Sequence, residues 1–133
     1  MTVKTALAGR SGAWGAVGAY AGLIFWFSSL TPSPDLIIPE LQKFHIDWIF
    51  HVLEYGVFGV LLARALILSR TGVSPLKLAL LAVALGTLYG ASDEFHQRFV
   101  PGRQPDVADL CADATGLAFG AFLWTYRKGS QHA

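Results

Sequence analysis

SGAWGAVGAYAGLIFWFSSLTPSP, residues 11–34, carries no charged side chain. It holds Trp14, Leu23, Ile24, Phe25, Trp26 and Phe27. About 20 mainly apolar residues in a helix cross the hydrocarbon layer of a bilayer. The stretch therefore reads as a membrane span over about residues 12–30. Lys4 and Arg10 precede it, as basic residues precede the apolar run of a secretory leader. The run is too long for a leader, however, and no A-x-A-like cleavage site follows, so an uncleaved helix is expected.

The whole composition points the same way. Of 133 residues, 53% are apolar and only 14% charged, and the mean hydropathy is +0.47. A soluble domain of this size would have too few polar residues to cover its surface. That excludes a cytosolic enzyme, and the apolar content excludes a disordered chain. A net charge of +1 leaves no basic face for nucleic acid. Cys111 is the lone cysteine, so neither an internal disulfide framework nor a cysteine-built zinc site is possible.

Three more spans are expected, over about 48–69, 75–97 and 107–126. The second contains His51, Glu54 and Arg64; Arg64 lies near one end and can snorkel to the interface. Ser74-Pro75 reads as an N-cap followed by proline at the first helical position, and Pro101-Gly102 breaks the chain after the third span. The fourth has Asp109 and Asp113 in its first two turns. The predicted fold is all-α: a polytopic membrane protein whose four transmembrane helices form one compact bundle, a single domain over 1–133. Residues 31–46, with Pro32, Pro34 and Pro39, form the longest connection, with a short interfacial helix expected around 40–44. The pairs Gly18/Gly22, Gly86/Gly90 and Gly116/Gly120 permit close backbone approach, and a homo-oligomer is left open.

Charge sets the orientation. Lys4, Arg10, Arg64, Arg70, Lys77, Arg127 and Lys128 fall on one side, and only Lys43, Arg98 and Arg103 on the other. The positive-inside rule then places both termini in the cytoplasm. All nine acidic residues lie in the outer half.

The polar residues within the spans follow helical spacing. Asp47, His51, Glu54 and Tyr55 share one face, as do Asp106, Asp109 and Asp113. Asp93 and Gln97 share a face at i, i+4, and Glu94 and Arg98 share the neighbouring one. Glu54 and Asp113 each sit seven residues in from the outer end, about 10 Å down at 1.5 Å per residue. Ionisable groups at that depth turn inward and mark function by default. These stripes are expected to line an outward-facing polar cavity. So many carboxylates must bind a cation, keep protons or splay into water. Asp93, Glu94, Asp109 and Asp113 are candidate ligands for a divalent cation, since carboxylate oxygens suit Mg²⁺, Mn²⁺ and Ca²⁺, although no fixed spacing such as H-E-x-x-H is present. Ser92 is the only serine expected near the cluster, and nothing marks it as a nucleophile. Tyr55 and Tyr89 are expected to pack or hydrogen-bond, and Cys111 to be a small packing residue.

Two segments, DWIFHVLEYG at 47–56 and DEFHQRFVPGR at 93–103 followed by Asp106, Asp109, Asp113 and Gly116, resemble the signatures of the VanZ-like membrane protein family. The resemblance extends over roughly residues 15–126. Trp48 departs from it, where the family often has Lys, and so does Asp113, where it often has Asn. The signature positions carried over are Asp47, His51, Tyr55, Asp93, Glu94, Gln97, Arg103, Asp109 and Asp113. The family's namesake is associated with resistance to the lipoglycopeptide teicoplanin. The resemblance carries positions and not chemical roles.

Function is then expected at this cluster, with Asp47, His51, Glu54, Tyr55, Asp93, Glu94, Gln97, Arg98, Arg103, Asp109 and Asp113 as ligand-binding residues. The first reading is a multi-pass protein of the bacterial plasma membrane that binds or modifies the head group of a cell-envelope lipid or lipid-linked glycolipid precursor. In it Arg98 and Arg103 contact phosphate, and the carboxylates take hydroxyls, ammonium groups or a bridging cation. The alternative is an intramembrane hydrolase or transferase for a lipid-linked phosphate or ester, with Asp93 or Glu94 as base or metal ligand and His51 as general acid or base. A small proton- or ion-coupled transporter with Glu54, His51 and Asp113 as its relay is disfavoured, because only Arg64 lies charged in the inner half of any span, and a purely structural or assembly role is the remaining alternative.

Overall fold

The computed structural model describes residues 3–31, 46–70 and 72–129. Four helices take up nearly all of them: α1, Val3–Ser28; α2, Ile46–Ser69; α3, Pro75–Gln97; and α4, Val107–Gly129. No strand occurs among the described residues. The interfacial helix expected around 40–44 lies outside them.

The shortest helices have 23 residues, or about 35 Å at 1.5 Å per residue, enough for a hydrocarbon layer of about 30 Å. Three segments are both long and apolar enough to cross a membrane: Asp47–Ser69, Pro75–Gln97 and Val107–Lys128. Helix α1 is the longest, at 26 residues, but is not among them. Gly9, Gly12, Gly15, Gly18 and Gly22 dilute its aliphatic content, and Trp14, Tyr20 and Trp26 contribute little hydropathy.

The helix ends follow local chemistry. The Ser74 hydroxyl accepts a hydrogen bond from the Lys77 amide at 3.4 Å, and Pro75 opens α3. There the missing N–H costs nothing, because that donor has no partner inside a helix. After α3 the chain turns through Gly102, whose φ of 81° lies in the left-handed region open to glycine. Asp106 caps α4, its Oδ1 accepting the Ala108 amide at 2.8 Å.

Helix α2 is the hub. It packs most extensively on α4 and also touches α1 and α3, whereas α1 does not reach α4 among the described residues. The α2–α4 seam is made by glycine. A Cβ on Gly116 would run into the Val52 carbonyl oxygen, and one on Gly120 into the Gly56 carbonyl oxygen. One on Gly59 would meet the Leu117 backbone, and one on Gly86 of α3 the Leu117 side chain. Backbones this close gain dispersion contact, which drives helix association where lipid removes the hydrophobic incentive. Gly18 and Gly22 are different, since a Cβ on either meets nothing within 4 Å. That pair makes no close approach to a described neighbour.

The core is built from small and aliphatic side chains, with Ala63, Ala65, Ala79, Ala82, Leu117 and Ala121 wholly or almost wholly buried. Large apolar side chains face outward instead, among them Trp26, Phe50, Leu53, Leu88 and Phe119. A water-facing surface of that kind would be an association hazard. Against lipid tails it is a matched one.

Helix α1 buries Ala13, Val17 and Ile24 in the core and adds a set of polar contacts. Near its N-terminal end, Arg10 Nε donates to the Leu68 carbonyl at 2.6 Å and Trp14 Nε1 to Ser69 Oγ at 2.9 Å. Halfway along, the Tyr20 hydroxyl donates to the Glu54 carbonyl at 3.1 Å, and the Tyr89 hydroxyl to the Ala21 carbonyl at 2.6 Å. These long-range bonds put the end of α1 beside the start of α2 and the end of α3.

Candidate functional site

A cavity of about 250 Å³ lies at that end of the helices. Helix α1 contributes Ile24 and Ser28 to it, α2 contributes Asp47, Phe50, His51, Glu54 and Tyr55, α3 contributes Asp93 and Gln97, and the α3–α4 turn contributes Arg103. Seven of the eleven residues expected at the site therefore share one cavity wall, from two helices and a turn distant in sequence. The i, i+4, i+7 spacing on α2 aligns Asp47, His51 and Glu54 on the inward face.

Asp93 is buried and doubly held. Its Oδ1 accepts from Ser28 Oγ at 2.6 Å and its Oδ2 from Gln97 Nε2 at 3.1 Å. Ser29 and His96 form a neighbouring tie between α1 and α3, Oγ to Nε2, at 3.1 Å. Ser28 and Ser29 were missed by reading the sequence, because they close a run with no charge to flag them. Ser92 points elsewhere, donating to its own helix at the Tyr89 carbonyl.

Asp113 is almost wholly buried, at 1% exposure. It lies behind the cavity wall, where Oδ1 is 2.8 Å from His51 Nδ1. The other ring nitrogen, Nε2, is 3.8 Å from Asp109 Oδ2, too long for a hydrogen bond. Gly90 makes room for this arrangement: a Cβ there would lie 3.2 Å from Asp113 Oδ2 and 3.3 Å from the Tyr55 ring.

Glu94 and Arg98 turn away from the cavity. Glu94 Oε2 accepts the Asp106 amide at 3.0 Å, which fastens the α4 entry to α3. The Arg98 guanidinium sits 5.4 Å from the Phe95 ring centroid, a cation–π contact on the outer surface. The two therefore do not form the i, i+4 pair that spacing allows. Arg103 does line the cavity, but its Nη2 donates to the Phe27 carbonyl at 3.2 Å and its Nε to the Leu30 carbonyl at 3.4 Å. It serves carbonyls at the negative dipole end of α1.

The four candidate metal ligands are thus held apart, Asp93 at Ser28 and Gln97, Glu94 at Asp106, and Asp109 and Asp113 beside His51. Among the described residues no group of three or more His, Cys, Asp and Glu side chains is arranged to hold a metal ion.

A sequence model of the VanZ/LLP1 family matches residues 14–128, which take in the whole cavity and the three apolar helices. The chain belongs to the VanZ/LLP1 family. It is a membrane protein of that family, with membrane-spanning helices. No curated protein and no solved structure matches it significantly.

Some polar groups of this VanZ/LLP1 cavity make no hydrogen bond to a described residue. The Tyr55 hydroxyl is buried and makes no hydrogen bond, although Tyr55 is only 2% exposed. The Glu54 carboxylate lines the cavity and makes no hydrogen bond to any described residue. Tyr89, by contrast, spends its hydroxyl on α1. Cys111 is exposed and does not take the packing role expected of it.

Proposed function

We propose that this VanZ/LLP1 protein crosses the bacterial plasma membrane four times, with both termini in the cytoplasm, and receives the polar head group of a cell-envelope lipid in its cavity. The observation that carries this reading is a polar cavity, lined by Asp47, His51, Glu54, Asp93 and Arg103, set among helices whose outer faces are apolar. A lipid lying against those faces has its tails matched and its head group at cavity depth. The fourth span would be α1, which is long enough and is tied at both ends to helices that are apolar enough. The orientation rests on the seven-to-three excess of Lys and Arg on the side of the termini. A glycolipid precursor would use the same wall, its hydroxyls meeting the carboxylates.

Lipids retained through purification test the head-group reading. Wild-type protein should keep one head-group class enriched over the bulk membrane, and Arg103→Ala with Asp93→Asn should lose that enrichment. Equal lipid profiles would overturn the reading. A reporter active only outside the cytoplasm should be silent when fused after Lys128 and active when inserted at Gly102, and the reverse pattern would overturn the orientation.

One contact favours a second reading. A carboxylate at 2.8 Å from an imidazole nitrogen is the arrangement that orients histidine as a general base. His51 would take a proton from water as its oxygen bonds to phosphorus or to an acyl carbon, and return it to the departing oxygen. Turnover of a lipid-linked phosphate or ester, abolished in His51→Gln, is the measurement that would favour this reading. Its metal-dependent form predicts a stoichiometric divalent ion in purified protein that chelation removes.

A further inference from the structure

We propose that the cavity binds a protonated primary amine, the ammonium end of an aminated envelope-lipid head group or a free amine of the same chemistry. The inference rests on the head-group reading above and names the ligand class for that site. It follows from which donors and acceptors are already engaged. Both Asp93 oxygens are occupied, by Ser28 and Gln97. Arg103 directs Nε and Nη2 to carbonyls of α1. Arg98, the other arginine expected here, lies on Phe95 outside the cavity, and His51 on the wall is paired through Nδ1 with the Asp113 carboxylate. The Glu54 carboxylate on the cavity wall and the exposed Asp47 carboxylate beside it have no hydrogen-bond partner among the described residues. The wall therefore offers more free acceptors than donors, and more negative than positive charge. An anion placed first in this cavity would meet repulsion.

The Tyr55 hydroxyl is an independent observation. It is buried without a partner, on a side chain that lines the same cavity and within electrostatic reach of the Glu54 and Asp93 carboxylates. Native proteins rarely leave such a group unpaired unless a ligand or water serves it. An ammonium has three donors and no acceptor. The acceptors it would find on this wall are the Glu54 and Asp47 carboxylates and the Tyr55 oxygen. The space suits a small group. A cavity of about 250 Å³ equals the liquid volume of roughly eight waters, room for an aminoalkyl phosphate.

The test uses the full chain in detergent, titrated calorimetrically with short-chain phosphatidylethanolamine, its N-acetyl derivative and phosphatidylglycerol. Charge-assisted hydrogen bonds predict that the free amine binds about ten-fold or more tighter than either of the others. Glu54→Gln should erase most of that preference. Should that variant fail to fold, Asp47→Asn, at an exposed position, is expected to reduce it, and the lipid comparison in wild type decides the matter alone. Competition by free ethanolamine would support the proposal with a soluble amine as sufficient ligand. A preference for the amine lipid without such competition would support it with the lipid as source. Equal affinity for all three lipids, lost in Arg103→Ala, would overturn the amine and leave the head-group reading standing. Absence of binding by any of them would overturn both.

Discussion

Helix α4 and helix α1 both pack on the hub α2, and they are held by different means. Between α2 and α4, Gly56, Gly59, Gly116 and Gly120 bring backbones together, and the buried Asp113–His51 pair crosses the same seam. Helix α1 has glycines too, but Gly18 and Gly22 face no described atom within 4 Å, and its attachment combines the buried side chains of Ala13, Val17 and Ile24 with separate hydrogen bonds made by Arg10, Trp14, Tyr20, Ser28 and Tyr89. The first interface depends on shape and tolerates no added volume. The second depends on side-chain packing and several exchangeable bonds. The cavity lies where they meet, with one wall fixed and the α1 wall held by tethers.

The largest expected effect is on the fixed side. Asp113→Ala removes one partner of a buried pair and should destabilise the protein by about 3–5 kcal/mol in detergent unfolding. Asp113→Asn keeps a polar partner for His51 and should cost far less. Equal costs would mean that the charge, and not the hydrogen bond, holds the seam. Next is Gly120→Val, which forces methyl groups against the Gly56 carbonyl. Overpacking of this kind costs about 1–3 kcal/mol, to be read as a lower melting temperature. On the tethered side, Tyr89→Phe loses one hydrogen bond to Ala21 and should cost about 1 kcal/mol. A loss as large as that of Gly120→Val would break the distinction between the two interfaces. Smallest of all is Gly18→Val, which meets open space and should stay within about 0.5 kcal/mol of wild type.

Much of this was legible in the sequence, and the limits have physical causes. Apolar length revealed the helices, because a bilayer imposes a minimum length and little else does. Ser74-Pro75 announced the start of α3, because capping is local chemistry. Helical spacing brought Asp47, His51 and Glu54 to one wall and put Asp109 and Asp113 near His51. Spacing says which residues share a face, but not what an individual side chain reaches for. Glu94 took a backbone amide of the next helix, and Arg98 took a ring on its own. Arg103 found the end of α1. The α1 contribution was invisible for another reason. Ser28 and Ser29 become site residues only through contacts more than sixty residues away. Gly116/Gly120 signalled a close approach, whereas the identical spacing at Gly18/Gly22 signalled none, because the motif records what could fit and not what is opposite.

The claim at the centre of this account is that the cavity, and not the apolar exterior, selects a lipid. A photo-crosslinking amino acid placed at Ile24, which lines the cavity and is otherwise buried, or at Phe119, which faces outward from α4, tests it in native membranes. Mass spectrometry of the captured lipids should find one head-group class enriched at Ile24, and bulk membrane composition at Phe119. The same lipid profile at both positions would contradict the account.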